Sequence, residues 1–204
     1  MYALVEDNAI IKTYNNPRGM TIGSVQYPQN IHSLWPEADL NALGIYTVVY
    51  DNTNKRDEEW YINTNQTLAF AGGVVTASYG TATAKAIADR NEVDGDDNPI
   101  LDDNGNQIIT KGLKTVKKEI FDRQAASLLV NYDWYIIRNT EASTAIPSDI
   151  TEYRTAVRAK CNSMQAQVDG AADVDALAAL FTYTITDGVQ SKPLGEWPTD
   201  PNAE

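Results

Sequence analysis

PSDITEYRTAVRAKCNSMQAQV, residues 147–168, decides how the second half of the chain folds. Ile150, Tyr153, Val157, Cys161, Met164 and Val168 recur three or four residues apart, the spacing that gathers side chains on one face of an α-helix. Pro147 stands where such a helix begins, with Ser148 available as N-cap. A second helical pattern lies upstream, from Leu113 onward. There Leu113, Val116, Ile120, Ala125 and Leu128 form the expected apolar stripe, and Lys114, Lys117 and Lys118 the wet side. Two stripes joined by a connector of about 15–20 residues predict an antiparallel helical pair sharing one apolar seam. Downstream, Asp173 is placed to cap a third, short helix through Leu180.

Before residue 88 the pattern is that of strands. YALVEDNAIIKTY reads as two strands around Asp7-Asn8, a pair that tolerates the positive φ of a tight turn. WPEADLNALG reads as a brief helix stopped by Gly44, and IYTVVYD (45–51) as a strand. EWYINTNQTLAF and VVTASYGTAT flank Ala71-Gly72-Gly73, a further hairpin. Between the two halves, ADRNEVDGDDNPILDDNGNQIITKG (88–112) is dense in Asp, Asn and Gly, and Asn104-Gly105 marks a hairpin within it. The expected fold class is therefore α+β. A small antiparallel β module spans 1–87, a protruding β-hairpin linker 88–112, a helical hairpin with a short third helix 113–182, and an extended tail 183–204.

Composition narrows the function. The 204 residues carry a net charge of −12, which repels phosphate backbones and argues against nucleic-acid binding. Only residues 111–160 are basic, with nine cationic and six acidic side chains. No apolar run approaches the roughly 20 residues needed to cross a bilayer. MYALVEDNAI carries an acid where a secretion signal needs a basic segment, which argues against export by that route. Asn65-Gln66-Thr67 matches a glycosylation acceptor, a match with little meaning without secretion.

The chemistry-bearing residues are few. Cys161 is the single cysteine, so neither an intrachain disulfide nor a thiolate zinc cluster is available, and its place on the apolar stripe makes it a packing residue. His32, the single histidine, excludes a histidine cluster and lies in QNIHSLWPEA, a loop entering a helix. DGDDNPILDDNGN invites a calcium hypothesis. Counted from Asp102, however, it gives Gln107 where an EF-hand loop needs glycine, and no glutamate closes it. No nucleophile elbow, phosphate loop or dinucleotide fingerprint occurs, and the carboxylates have no spacing that singles out a glycosidase pair. The reading is non-enzymatic, with no metal and no cofactor.

DWYIIR, 133–138, concentrates aromatic and cationic residues inside the one basic segment. Asp133, Trp134, Tyr135 and Arg138 precede the second helix, and Arg154 and Arg158 lie four apart on one of its faces. Two readings stand side by side. The group is either an Arg–carboxylate and Arg–aromatic clasp pinning the corner of the hairpin, or a partner-binding surface of the kind that Trp, Tyr and Arg dominate.

The order Arg123, Leu128-Leu129, Asp133-Trp134, Pro147, Tyr153-Arg154, Arg158 resembles bacteriophage tail assembly chaperones. In that family a leucine pair leads to an (S/T)DW turn, a proline and a helix beginning YR..LR. Here Tyr132 stands in place of the small hydroxyl residue and Val157 in place of leucine. The resemblance spans about residues 115–165. MYALVEDNAIIKTY and LGIYTV also look like the first module of phage tail and tail-fibre accessory proteins. The resemblance implies a protein without catalysis that binds a tail or tail-fibre polypeptide in the host cytoplasm until it assembles. The alternative is a structural component, a tail-fibre, hinge or baseplate adaptor, retained in the virion tail; a homo-oligomer suits that role. Trp134, Arg154 and Arg158 carry over as clasp or as client surface, and the resemblance does not choose between them.

Overall fold

The computed structural model describes residues 1–203. The fold is α+β, and the chain divides into two compact units, Met1–Thr83 and Ala84–Glu204.

The first unit is built on a five-stranded sheet. Strands β1 (Tyr2–Glu6) and β2 (Ala9–Tyr14) form the hairpin expected around Asp7-Asn8, whose φ values of 49° and 63° suit a turn matched to strand twist. After them come β3 (Met20–Ile22), β4 (Val25–Tyr27), the helices α1 (Ile31–Leu34) and α2 (Glu37–Ala42), and β5 (Ile45–Asp51). Next follow β6 (Tyr61–Ile62), β7 (Gln66–Ala71), β8 (Val74–Tyr79) and β9 (Thr83–Ala84). The sheet order is β2-β1-β5-β8-β7, antiparallel except for one parallel pair, β5 with β8. The β7–β8 hairpin turns at Gly72-Gly73 and sets β8 inside. This strand buries Val75 and Ala77 completely, whereas Leu68 and Phe70 of β7 stay half-buried.

Alternation along β1 separates two cores. Ala3 and Val5 pack with Val48, Val75 and Ala77, and Leu4 packs with Tyr14, Met20, Ile31, Leu40 and Ile45. Gly44 is fixed by its surroundings: at φ +79° it turns the chain out of α2, its carbonyl accepts from the Val5 N–H at 2.8 Å, and a Cβ would drive into the Val5 carbonyl oxygen.

The second unit opens with a small β motif. Strands β10 (Arg90–Asn91) and β11 (Ile109–Thr110) pair, and Asn104-Gly105 lies in a turn as expected, with a second equivalent turn over 94–98. The two turns belong to an eight-residue repeat, VDGDDNPI (93–100) and LDDNGNQI (101–108). The Ile100 N–H donates to Glu92, Ile108 to Ile100 and Glu92 to Ile108, closing a ring of three backbone hydrogen bonds. The Gln107 amide nitrogen lies 2.7–3.1 Å from all three of those carbonyl oxygens.

In each turn an aspartate accepts the backbone N–H groups that follow it. The Asp94 carboxylate is held below its ordinary 3.8 chiefly by the Asn98 backbone N–H, then by that of Asp96. Asp102 is lowered in the same way, chiefly by the Asn106 backbone N–H. A carboxylate lowered on folding stabilises above its unfolded value, and that contribution fades as pH falls from 3.8 through the lowered value. The amide resonances of Asn98 and Asn106, which donate to these carboxylates, are thus expected to titrate with midpoints below 3.8. Midpoints at or above 3.8 in an NMR titration would contradict the assignment.

Four helices follow: α3 (Leu113–Val130), α4 (Asp133–Ala142), α5 (Ser148–Gly170) and α6 (Val174–Phe181). The α3–α5 pair is antiparallel, since Lys114 and Lys118 of the first turns reach Asp169, while Arg154 reaches Leu129. All six stripe residues of α5 are buried, with Leu177 and Leu194 closing the core. Asp173 caps α6, accepting from the Ala176 N–H at 2.8 Å.

On α3 the buried face departs from expectation. It runs through Lys117, Phe121 and Ala125, and Val116 is 38% exposed. Phe121 is the bulkiest apolar side chain of the helix and stacks on Phe181 at 5.9 Å, so it sets the rotation. Lys117 follows it inward, burying its stem and placing Nζ 4.8 Å from the Phe181 ring. Ser148 is the first helical residue of α5 and not its cap. Residues 183–203 are not simply extended. They begin with a hairpin, β12 (Thr184–Thr186) and β13 (Val189–Ser191), turned at Asp187-Gly188 with φ 52° and 77°.

Candidate functional site

DWYIIR is not a connector. It forms the first turns of α4, a ten-residue helix none of whose residues is buried. Tyr132, just before it, is anchored. Its ring meets Tyr153 edge-on at 5.4 Å, its hydroxyl pairs with the Asp200 carboxylate, and Asn202 Nδ2 donates to it at 3.1 Å. The Asp200 contact, above all, raises the Tyr132 phenol above its ordinary value. The C-terminal segment thus straps the α3–α4 corner. Tyr132→Phe is expected to leave the helices intact while amide exchange quickens over residues 197–203, a change visible by hydrogen-exchange mass spectrometry.

The six singled-out residues separate into three sets. Arg154, 7% exposed, directs one nitrogen, Nη1, to Asp133 Oδ1 at 2.9 Å and to the Leu129 carbonyl at 3.1 Å. That is a clasp. It ties the last turn of α3 and the first residue of α4 to α5, adding a side-chain donor to a carbonyl that also accepts from the Tyr132 N–H at 3.0 Å.

Trp134, Tyr135 and Arg138 form a second set. The Trp134 and Tyr135 rings lie 3.8 Å apart and tilted by 32°. The Arg138 guanidinium sits 4.6 Å from the first ring and 5.1 Å from the second. This stack faces solvent: Trp134 is 48% exposed, and Ile136 and Ile137 of the same helix and Val130 before it are exposed too. Arg138 Nε is buried beneath the stack without a hydrogen-bond partner among the described residues. A cation held on two ring faces loses water on that side, and its remaining donors stay available to an acceptor.

Arg158 stands apart from both. One turn beyond Arg154, it is exposed and makes no ion pair among the described residues.

The other reactive types are accounted for by packing. Cys161 is buried, and its thiol is pushed up, chiefly by burial and then by the Asp122 carboxylate beside it. Burial likewise raises the Tyr153 phenol. His32 stacks on Tyr2 at 4.4 Å, and its Nε2 meets the Arg18 carbonyl at 3.3 Å. Among the described residues no group of three or more His, Cys, Asp or Glu side chains is placed to hold a metal ion, and no helix is long and apolar enough to cross a membrane.

The exposed stack could be found in the sequence as a composition anomaly. Its division from the clasp could not, because Trp134 and Asp133 are neighbours that a helical turn sends in different directions. No protein-family model, no curated protein and no solved structure matches the chain.

Proposed function

We propose that this chain is a non-enzymatic phage tail protein, an assembly chaperone that holds a tail or tail-fibre subunit in the host cytoplasm. The observation that carries the reading is α4. A helix that buries none of its residues yet exposes Trp134, Ile136 and Ile137 is a surface awaiting cover. Tail subunits carry unpaired strands and helices before they polymerise, and these are the surfaces that aggregate. Trp134, Tyr135 and Arg138 form the gripping surface, Asp133 and Arg154 hold α4 in place, and Arg158 stands apart from it on α5. The residue order shared with tail assembly chaperones over about 115–165 supports the same reading, and the net charge of −12 suits a carrier that must not self-associate.

A second reading, a component retained in the virion, draws on the β12–β13 hairpin. Ile185 at its side is 75% exposed and Val189 is exposed as well, so the hairpin offers open strand edges to another chain. Quantitative mass spectrometry of purified particles and of infected-cell lysate separates the two. A chaperone is abundant in lysate and absent from particles. A fixed copy number per particle overturns the chaperone reading in favour of the retained component.

A further inference from the structure

A cleft in the first unit, remote in sequence from α4, has the chemistry of an anion site. The loop Asn15–Gly19 leads from β2 into β3, and Gly19 lies so close to the β4 backbone that a Cβ would stand 3.2 Å from the Tyr27 carbonyl oxygen. The space between β2, this loop and the β3–β4 hairpin has a volume near 480 Å³, and Lys12, Tyr14, Arg18, Thr21, Gln26 and Tyr27 line it. The floor is apolar, since Tyr14 and Met20 are buried. Lys12 Nζ lies 5.5 Å and the Arg18 guanidinium 5.8 Å from the centroid of the same Tyr14 ring.

No carboxylate lines the cleft, and neither cation makes an ion pair among the described residues. In a chain with 28 acidic and 16 basic side chains, two cations left unpaired over one ring are a departure from the general balance. The ring accounts for one side of each cation. An ammonium has three donors and a guanidinium five, so most remain free, and Thr21, Gln26 and Tyr27 add neutral ones. The Lys12 and Arg18 donors are exposed and otherwise meet only water, so an oxyanion can take them without breaking a protein contact. The volume exceeds what a bare ion fills and falls within the range of about 300–1,000 Å³ usual for ligand clefts. The chain's overall negative charge disfavours a polyphosphate strand.

We propose that this cleft binds a small organic ligand through an oxyanion, carboxylate or phosphate, held by Lys12 and Arg18, with the ligand body resting on Tyr14 and Tyr27. The test is an amide NMR titration of the full chain at constant ionic strength, with inorganic phosphate in one arm and N-acetylglutamate in the other. Saturable shifts at Arg18, Gly19, Thr21 and Gln26 are expected. A response to phosphate alone identifies phosphate chemistry, to N-acetylglutamate alone carboxylate chemistry, and to both a general oxyanion site. Lys12→Gln and Arg18→Gln should each weaken the response roughly tenfold, the loss expected for one charge-assisted hydrogen bond. Lys12→Arg should keep it. Both side chains are exposed, so the variants should fold, as melting curves would verify. The proposal is overturned if neither probe saturates, or if the double glutamine variant half-saturates where the wild type does. The two cations would then only shield the Tyr14 ring.

Discussion

Replacing Arg154 by alanine is expected to destabilise the second unit by on the order of 2 kcal/mol, from a lost charge-assisted bond and the lost packing of a buried stem. One guanidinium nitrogen holds both the Asp133 carboxylate and the Leu129 carbonyl. Its loss removes a charge-assisted bond and empties the space its stem fills on the inner face of α5, while the Leu129 carbonyl keeps the Tyr132 N–H as a donor. Asp133 is half exposed, so water can take over its side of the pair, which keeps the figure below that of a wholly buried pair. Lysine should recover only part of the loss, because its shorter stem carries the ammonium short of the place that Nη1 occupies between Asp133 and Leu129. Arg158→Ala, one turn away and exposed, should change stability by no more than about 0.5 kcal/mol. Urea unfolding of the three variants, followed by helical signal, measures the contrast. Equal midpoints for Arg154→Ala and wild type would mean that α4 is held by something other than this clasp.

Much of the architecture is legible in the sequence because it is set locally. Asp7-Asn8 and Gly72-Gly73 announce their turns through the positive φ those residues tolerate. The face of α5 is declared by six apolar residues in phase. What escapes is set at a distance or hidden by residue type. Lys117 reads as solvated because it is charged, yet its four-carbon stem belongs to the core once Phe121 fixes the rotation of α3. The parallel pairing of β5 with β8 depends on which strand of a hairpin turns inward, and periodicity carries no such information. The octad repeat is visible as letters, but its closure depends on a Gln107 amide reaching three carbonyls far apart in the chain. Asp187-Gly188 is a hairpin signal as plain as Asn104-Gly105, obscured by the proline-rich run after it.

The helix α4 is hidden for the reason that makes it interesting. Helices are recognised by the stripe they bury, and α4 buries none. Its apolar residues are spread around its surface, so DWYIIR reads as an awkward link. The same lack of a buried face is the argument that something outside the chain covers it.

Trp134→Ala should therefore show the opposite pattern to Arg154→Ala. Trp134 touches Tyr135 and Arg138, and half of its surface already faces water. Truncation should alter stability by no more than about 1 kcal/mol, the scale of an exposed aromatic and cation–π contact. Binding of a tail subunit is another matter. A central tryptophan at an interface typically contributes about 2 kcal/mol or more, so affinity should fall roughly thirtyfold or further. Under the proposed chaperone role, the measurement is co-expression with candidate phage tail subunits, scoring soluble yield and co-purification beside a melting curve of the variant alone. Ile137→Ser provides a second probe of the same face that leaves the aromatic stack intact. If both variants melt like wild type and both lose the subunit, α4 is the client surface. If both keep carrying it at wild-type yield, the exposed stack is incidental and the contact lies elsewhere. If Trp134→Ala alone unfolds, the tryptophan is a strut of the corner, and the clasp extends one residue beyond Asp133.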